Sequence, residues 1–316
     1  MIEVSTVLVL GAGASCPFGF PSGKELVRII IEGLGPNHGL SNFLSQCGFK
    51  KNFISRFRDA LLGAEPLSID AFLEHRQDFE EIGKEAIAIS LLQFENRHKF
   101  MSMLIKKENN WYRYLFNRLN TSFDSFDKNS LSVITFNYDR SFEHYLFNVL
   151  KETYNKPCLE CADKLKNIPI IHVHGSFGSL PWQESTLSKM KYGVWEDKDS
   201  RCPAVKQGGE NIIIVHNANE ETAEFQQAHE LLAKAKKVYF LGFGFNKDNV
   251  RRLRIEMLLK KVPTKGTAFN LPLQERQEIH HLGMAGSNPW NSERMMPPNF
   301  HNEKCYDFLK NHVVFS

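Results

Sequence analysis

The run Val4 to Leu10 passes directly into Gly11-Ala12-Gly13-Ala14-Ser15, so an apolar strand must end in a turn built from very small side chains. Two further runs end as abruptly: Val133 to Asn137 in the motif Phe136-Asn137-Tyr138-Asp139, and Ile168 to His174 in His172-Val173-His174-Gly175. Open α/β sheets bind ligands at strand ends of this kind. Together the three motifs offer a phosphate loop, an Asn/Asp pair and a histidine, a set that points to nucleotide chemistry.

More runs rich in Val, Ile and Phe follow at Ile212 to His216, Val238 to Phe243, Thr267 to Leu271 and Val313 to Phe315, separated by segments of helical spacing. Continuous apolar runs of this length describe parallel strands buried on both faces. The pattern predicts an α/β fold, a Rossmann-like doubly wound parallel sheet. The stretch between Leu10 and Val133 is too long for one crossover helix. Within it, Ser68 to Phe79, Ile82 to Phe94 and Trp111 to Leu119 repeat apolar residues at three- and four-residue spacing. It reads as an inserted helical subdomain, about residues 24–125, beside the nucleotide site. We expect a catalytic domain over residues 1–281 and a Pro-containing tail over 282–316 that closes with a helix and a strand. Leu180 to Glu210, with little periodicity, reads as a small module or a lid.

Composition narrows the function classes. A chain of 316 residues, 42% hydrophobic, can bury one large α/β core with an insertion. Its net charge is only +3, and its one basic stretch, Lys234, Lys236 and Lys237, sits where cations complement a helix C-terminus, which argues against direct nucleic-acid binding. The six cysteines have no regular spacing, and the chain shows neither a charged-then-apolar leader nor an apolar run near the ~20 residues of a membrane span. A reduced, soluble, cytoplasmic protein without a membrane partner is expected.

Each motif has a bland reading beside the chemical one. Gly11 and Gly13 let backbone approach a pyrophosphate, but they also suit any tight strand-to-helix turn. Cys16-Pro17-Phe18-Gly19-Phe20-Pro21 then predicts a loop where a dehydrogenase fingerprint would need a helix. Asn137 and Asp139 precede an amphipathic segment, Ser141 to Leu150, and could simply cap it. His174 would project at the ligand edge or be a satisfied structural histidine, whereas His172, on the same face two residues back, reads as a packed core residue. His216 could line the pocket from its own strand end. Glu220, Glu221 and Glu224 read as the first turns of a helix, and His280-His281 as surface.

The Gly11 to Ser15 motif with Gly19-Phe20-Pro21, then Thr135-Phe136-Asn137-Tyr138-Asp139, His174-Gly175 and Gly242-Phe243-Gly244-Phe245, in this order, resembles the sirtuin-like (silent information regulator type) family of NAD-consuming enzymes. Ser68-Ile69-Asp70-Ala71-Phe72-Leu73 resembles a helical segment of its bacterial branch. The resemblance implies a binding set for NAD+, the substrate, of Gly11, Ala12, Gly13, Ser15, Phe20, Pro21, Gly242 and Gly244. It implies catalytic roles for Asn137, His174 and Asp139, with His174 as base and Asn137 and Asp139 at the nicotinamide-ribose end.

The departures from the family pattern are chemical. The deacylases carry two Cys-x-x-Cys pairs for a structural zinc after the catalytic His; here one pair, Cys158 and Cys161, comes before it, and only Cys202 and Cys305 follow, so no metal is expected. Phe136 stands where the family usually has Gln, and Ser22-Gly23-Lys24 where it has Asp-Phe-Arg. These differences point away from acyl-lysine deacylation and toward the bacterial antiphage branch, whose members hydrolyse NAD+. Loss of a cationic nicotinamide through an oxocarbenium-like state would suit Asn137 as orienting donor and acceptor and His174 as proton acceptor. A sirtuin-type deacylase or ADP-ribosyltransferase, and a noncatalytic nucleotide-binding assembly module, are the alternatives. The resemblance further implies control by homo-oligomerisation or by a separately encoded partner such as a HerA-type ATPase. The segment from Trp182 to Trp195 and the tail around Trp290 are the expected contact surfaces.

Overall fold

In the computed structural model, which describes residues 1–106, 108–216, 221–284 and 299–315, six strands form one all-parallel sheet. They are β1 (Thr6–Leu10), β2 (Leu131–Thr135), β3 (Ile170–His172), β4 (Lys237–Leu241), β5 (Thr264–Thr267) and β6 (Phe300–His301), in the order β3-β2-β1-β4-β5-β6. β1 is central, pairing in register with β2 on one side and β4 on the other, and the strand order reverses at this point. Its five residues are all buried. Val7 and Val9 face one core while Leu8 and Leu10 face the other, so alternation along the strand serves two apolar layers. The chain is α/β with a Rossmann-like doubly wound sheet, as the apolar runs predict.

After β1 the chain makes a single helical turn, α1 (Ala12–Ser15), and a 3-10 turn, Cys16–Phe18, ended by Gly19 at φ 93°. The predicted loop, Cys16 to Pro21, is therefore helical over its first three residues. Next come α2 (Gly23–Gly33), α3 (Gly39–Gln46), α4 (Lys51–Ala64), α5 (Ile69–His75), α6 (Glu80–Leu92), α7 (Arg97–Lys106) and α8 (Trp111–Leu119), the helical insertion. Local chemistry sets several starts: Ser22 and Glu25 form a capping box on α2, Ser68 caps α5 and Asn110 caps α8. The capping box also explains Ser22-Gly23-Lys24, since these residues begin a helix. α6, buried on nearly every side, is the insertion's hub, and Trp111 Nε1 ties the insertion to α1 by donating to Ala14 O at 2.8 Å.

β2 leads to α9 (Ser141–Tyr154) and α10 (Cys158–Leu165), β3 to α11 (Arg201–Glu210) and α12 (Ala223–Lys234), and β4 to α13 (Lys247–Arg252) and α14 (Ile255–Lys261). After β5 come α15 (Leu273–Met284), β6 and α16 (Cys305–His312). Thr222 caps α12, with Glu224 in its first turn, while Glu220 lies outside the described residues.

Three expectations are corrected. Ile212 to His216 forms no strand: Ile212 makes one antiparallel bridge to Gly175, and the Ile213 amide donates to His174 O, so the segment crosses the end of β3 instead of joining the sheet. Val313 to Phe315 is not a strand either. There the order is strand then helix, with β6 at the edge and Val314 O accepting from Lys237 Nζ and Tyr239 OH. Leu180 to Glu210 is not irregular throughout, because its end is α11. Pro203, Gly208 and Gly209 hide that helix in the sequence, yet the glycines let it approach α6 closely: a Cβ at Gly208 would lie 3.5 Å from Ala88 Cβ. Pro289, Pro297 and Pro298 of the tail lie outside the described residues. Among the described residues no helix is long and apolar enough to cross a membrane.

Candidate active site

The reversal in strand order places the ends of β1 and β4 side by side, and backbone fills the space between them. Gly13 N–H donates to Gly242 O at 3.0 Å, and Gly11 N–H to Leu241 O at 3.0 Å. A Cβ on Gly242, at φ 60°, would sit 2.1 Å from Ala14 N, and one on Gly11 would sit 2.6 Å from Gly242 O. The Gly-Ala-Gly turn and the Gly242 segment are therefore locked together by contacts no larger residue permits. Gly242→Ala is expected to cost roughly 2–5 kcal/mol from overpacking and left-handed strain, measured as a lower denaturant midpoint. Gly244, in contrast, is exposed with nothing within 4 Å of its would-be Cβ. Phe20 is core, packed against Phe94 with ring centroids 6.1 Å apart, and Pro21 beside it is half-buried.

Asn137 joins two strand ends. Its Nδ2 donates to Gly11 O at 3.1 Å and to Ser15 Oγ at 3.0 Å, and its amide to Thr135 Oγ1 at 3.1 Å. It does not cap α9. Asp139 does support that helix start, its Oδ1 accepting from the Ser141 amide at 3.1 Å and from the Ser141 hydroxyl. Tyr112 OH bonds Ser141 Oγ at 2.7 Å, so residues 15, 112, 137, 139 and 141 form one buried polar network. Burial pushes Asp139 up from 3.8 to about 6, against the hydrogen bonds from Ser141 and Ser15 that favour its charge. The fold thus favours protonated Asp139, and stability falls as pH rises from about 4 through about 6. Asp139→Asn is expected to be more stable than wild type by on the order of 2 kcal/mol at pH 7.5 and equal to it near pH 4, checked by urea unfolding at the two pH values.

His174 leaves the end of β3 into an aromatic setting, its ring 5.5 Å from Phe136 and 5.9 Å from Phe225. Phe136 also meets Phe243 at 5.0 Å, so hydrocarbon rings surround this side of the imidazole. Burial, then the Arg252 charge, lowers His174 from 6.5 to about 4, so its imidazole is neutral across the physiological range. Gly175 makes the exit possible, because at φ 74° a Cβ there would lie 2.0 Å from Asn211 O. His216 is engaged by Glu80 at 2.6 Å and lies 3.3 Å from Glu74 O.

Asn137 Oδ1 and His174 Nδ1 are buried without a hydrogen-bond partner, as is Nε of the neighbouring Arg252. Leaving such a group unmade costs about 1–3 kcal/mol, a cost that folded proteins accept mainly where an atom has another use.

Three ionic features have no spacing signature in the sequence. Arg140, 1% exposed, forks onto Glu95, 0% exposed, with Nη2–Oε2 at 2.5 Å, and its Nη1 donates to Gly178 O and Met190 O. This pair ties the turn after β2 to the insertion and to the segment after β3. Arg252 similarly joins Glu74 at 2.8 Å and Val215 O at 3.1 Å. His172 is only partly buried, and it is not an apolar-packed core residue: both its ring nitrogens are bonded, to Asn137 O and Glu143. The only local hint was a charged residue within or beside each apolar run.

Cys202 Sγ meets Cys47 Sγ at 3.9 Å, whereas Cys158 is exposed and Cys161 buried on α10. Among the described residues no group of three or more His, Cys, Asp or Glu side chains is placed to hold a metal ion. Trp182 stacks on Phe147 at 4.7 Å and Trp195 packs on Phe43 at 5.4 Å, so both rings have intramolecular seats; Trp290 lies outside the described residues.

Residues 131–281 match the family model described as SIR2-like domain. The match covers 151 of the 316 residues, just under half of the chain. The matched span begins at β2 and includes the Asn137 turn, His174 and the Gly242 segment, while the Gly-Ala-Gly turn of β1 precedes it. SIR2-like domains bind NAD, and the Asn137 side chain joins the matched span to that preceding turn. No curated protein matches the chain.

Proposed function

We propose that this protein is an NAD+ glycohydrolase, cleaving the nicotinamide–ribose bond with water to give nicotinamide, ADP-ribose and a proton. The observation that carries the reading is the pair of buried, unpartnered atoms, Asn137 Oδ1 and His174 Nδ1, at one carboxyl edge of a SIR2-like domain. As nicotinamide departs, positive charge develops on the ribose. Asn137, braced by Gly11 O and Ser15 Oγ, would offer its oxygen to the attacking water or the departing ring. Neutral His174 would accept a hydrogen bond, then a proton, from a ribose hydroxyl or that water. The hydrocarbon wall of Phe136, Phe225 and Phe243 would keep bulk water out.

Depletion of NAD+ in antiphage defence is the setting we favour, on the order and identity of the motifs. Self-assembly, or a separately encoded partner of the HerA ATPase type, would then restrain the activity. The competing chemistry is transfer to an acyl-lysine. Incubation with NAD+ and an acetyl-lysine peptide separates the two: free ADP-ribose made at the same rate with or without peptide supports hydrolysis. Nicotinamide release that requires peptide and yields an acylated ADP-ribose overturns it.

A further inference from the structure

Both ring nitrogens of His172 face acceptors. Nδ1 lies 2.7 Å from Asn137 O, and Nε2 lies 2.5 Å from Glu143 Oε1. A carbonyl oxygen and a carboxylate can both be served only by an imidazole with two N–H groups, the imidazolium. The pair lies on the inner side of the Asn137 turn, with side chains 12% exposed for His172 and 3% for Glu143. Thr135 is the in-register partner of His172 across β2 and β3, and its Oγ1 holds the Asn137 amide. The peptide units on both sides of the Asn137 Cα are thereby fixed, one by Thr135 and the other by His172.

We propose that Glu143 and His172 are a positioning pair that holds the Asn137 backbone, and through it the unpartnered Asn137 Oδ1, at the carboxyl edge of the sheet. Neither residue need touch substrate. The inference rests on the NAD+ reading above for its kinetic consequence, but its structural content does not.

The state of the pair depends on pH. Burial opposes the charge on His172, but Glu143, the Asn137 carbonyl and Asp139 together hold its pKa above the ordinary value. The charged groups acting on the ring are thus Glu143 on α9 and Asp139 in the turn, while α12, on β3's other side, buries Phe225, Ala228 and Leu232. Stability from this raised pKa is fully present below pH ~6.5 and is lost as pH rises through the folded value. With it goes one of the two bonds, and release of the Asn137 carbonyl would misplace Oδ1.

Glu143→Gln and His172→Gln test the pair. Each is compared with wild type for thermal midpoint, for kcat and KM with NAD+, for the pH profile of kcat, and for hydrogen exchange of the peptide covering residues 135–141. The expected result is a fall in kcat of about tenfold or more with KM within about twofold of wild type, since the loss lies in orientation and not in uniform binding. The alkaline limb of Glu143→Gln should move to lower pH, and exchange at 135–141 should quicken in both variants. Wild-type kcat and exchange in either folded variant would overturn the proposal, as would a kcat loss with an unmoved alkaline limb and unchanged exchange. Glu143→Asp, which keeps the charge, should restore part of the exchange protection if Gln variants unfold; failure to do so also counts against it. If wild type itself cleaves no NAD+, the hydrolase reading fails, while exchange still decides whether the pair holds the turn.

Discussion

Alanine at Asn137 or His174 is expected to lower NAD+ cleavage by on the order of 10²–10⁴-fold while leaving the protein folded. The two losses should differ in their side effects. Asn137→Ala removes the donor that satisfies Gly11 O and Ser15 Oγ, so it should cost about 1–3 kcal/mol of stability besides activity. His174→Ala leaves a cavity in place of the buried imidazole and also removes the ring's interactions with Asn249 and the Ile213 backbone. The sign reverses in acid. His174 has its folded pKa depressed to about 4, so wild type loses stability as pH falls from about 6.5 toward 4, when the unfolded chain takes up a proton and the fold does not. His174→Ala should lack that component of acid sensitivity, and urea unfolding at pH 7 and pH 4.5 measures it. Activity retained in both alanine variants would remove these residues from the chemistry.

The second large effect lies outside the reacting groups. Arg140→Met should cost about 3–5 kcal/mol, because it leaves Glu95, at 0% exposure, buried without its partner. For a chain of 316 residues that corresponds to a fall in thermal midpoint of roughly 5–8 °C. It also frees the Gly178 and Met190 carbonyls, so the segment after β3 and the turn carrying Asn137 and Asp139 loosen together. Adding Glu95→Gln should recover part of the loss, since the unpartnered carboxyl is then gone. A single variant within about 1 kcal/mol of wild type would mean that Glu95 is rehydrated or protonated at little cost.

The features legible in the sequence were those with a period or a fixed backbone requirement. β1, β2 and β4 declared themselves as apolar runs because both faces of each are buried, and α8 coincides with the Trp111 to Leu119 pattern. Gly11, Gly13 and Gly242 were legible as a turn chemistry, though not as the mutual backbone contact that requires them. Ile212 to Val215 shows the limit of periodicity: it is apolar enough for a strand, but the Gly175 turn sends it across the sheet edge. α11 was hidden for the opposite reason, its helix being set by close packing on α6 and not by propensity.

The site divides along the same line. Asn137, Asp139 and His174 sit at strand ends and could be picked out locally. Glu95, Glu74 and Arg252 could not, because a pair such as Arg140 with Glu95 forms across many residues of chain and leaves no spacing to read. His172 read as core from strand parity alone; its partner Glu143 comes from α9, which parity does not see.

In the proposed reaction water attacks the anomeric carbon of NAD+. The most direct measurement incubates it with NAD+ in 18O-labelled water and follows nicotinamide and ADP-ribose by chromatography with mass detection. Equal amounts of the two, with one labelled oxygen in each ADP-ribose, is the expected result. NAD+ that binds and is recovered intact, or nicotinamide released without labelled ADP-ribose, would contradict it.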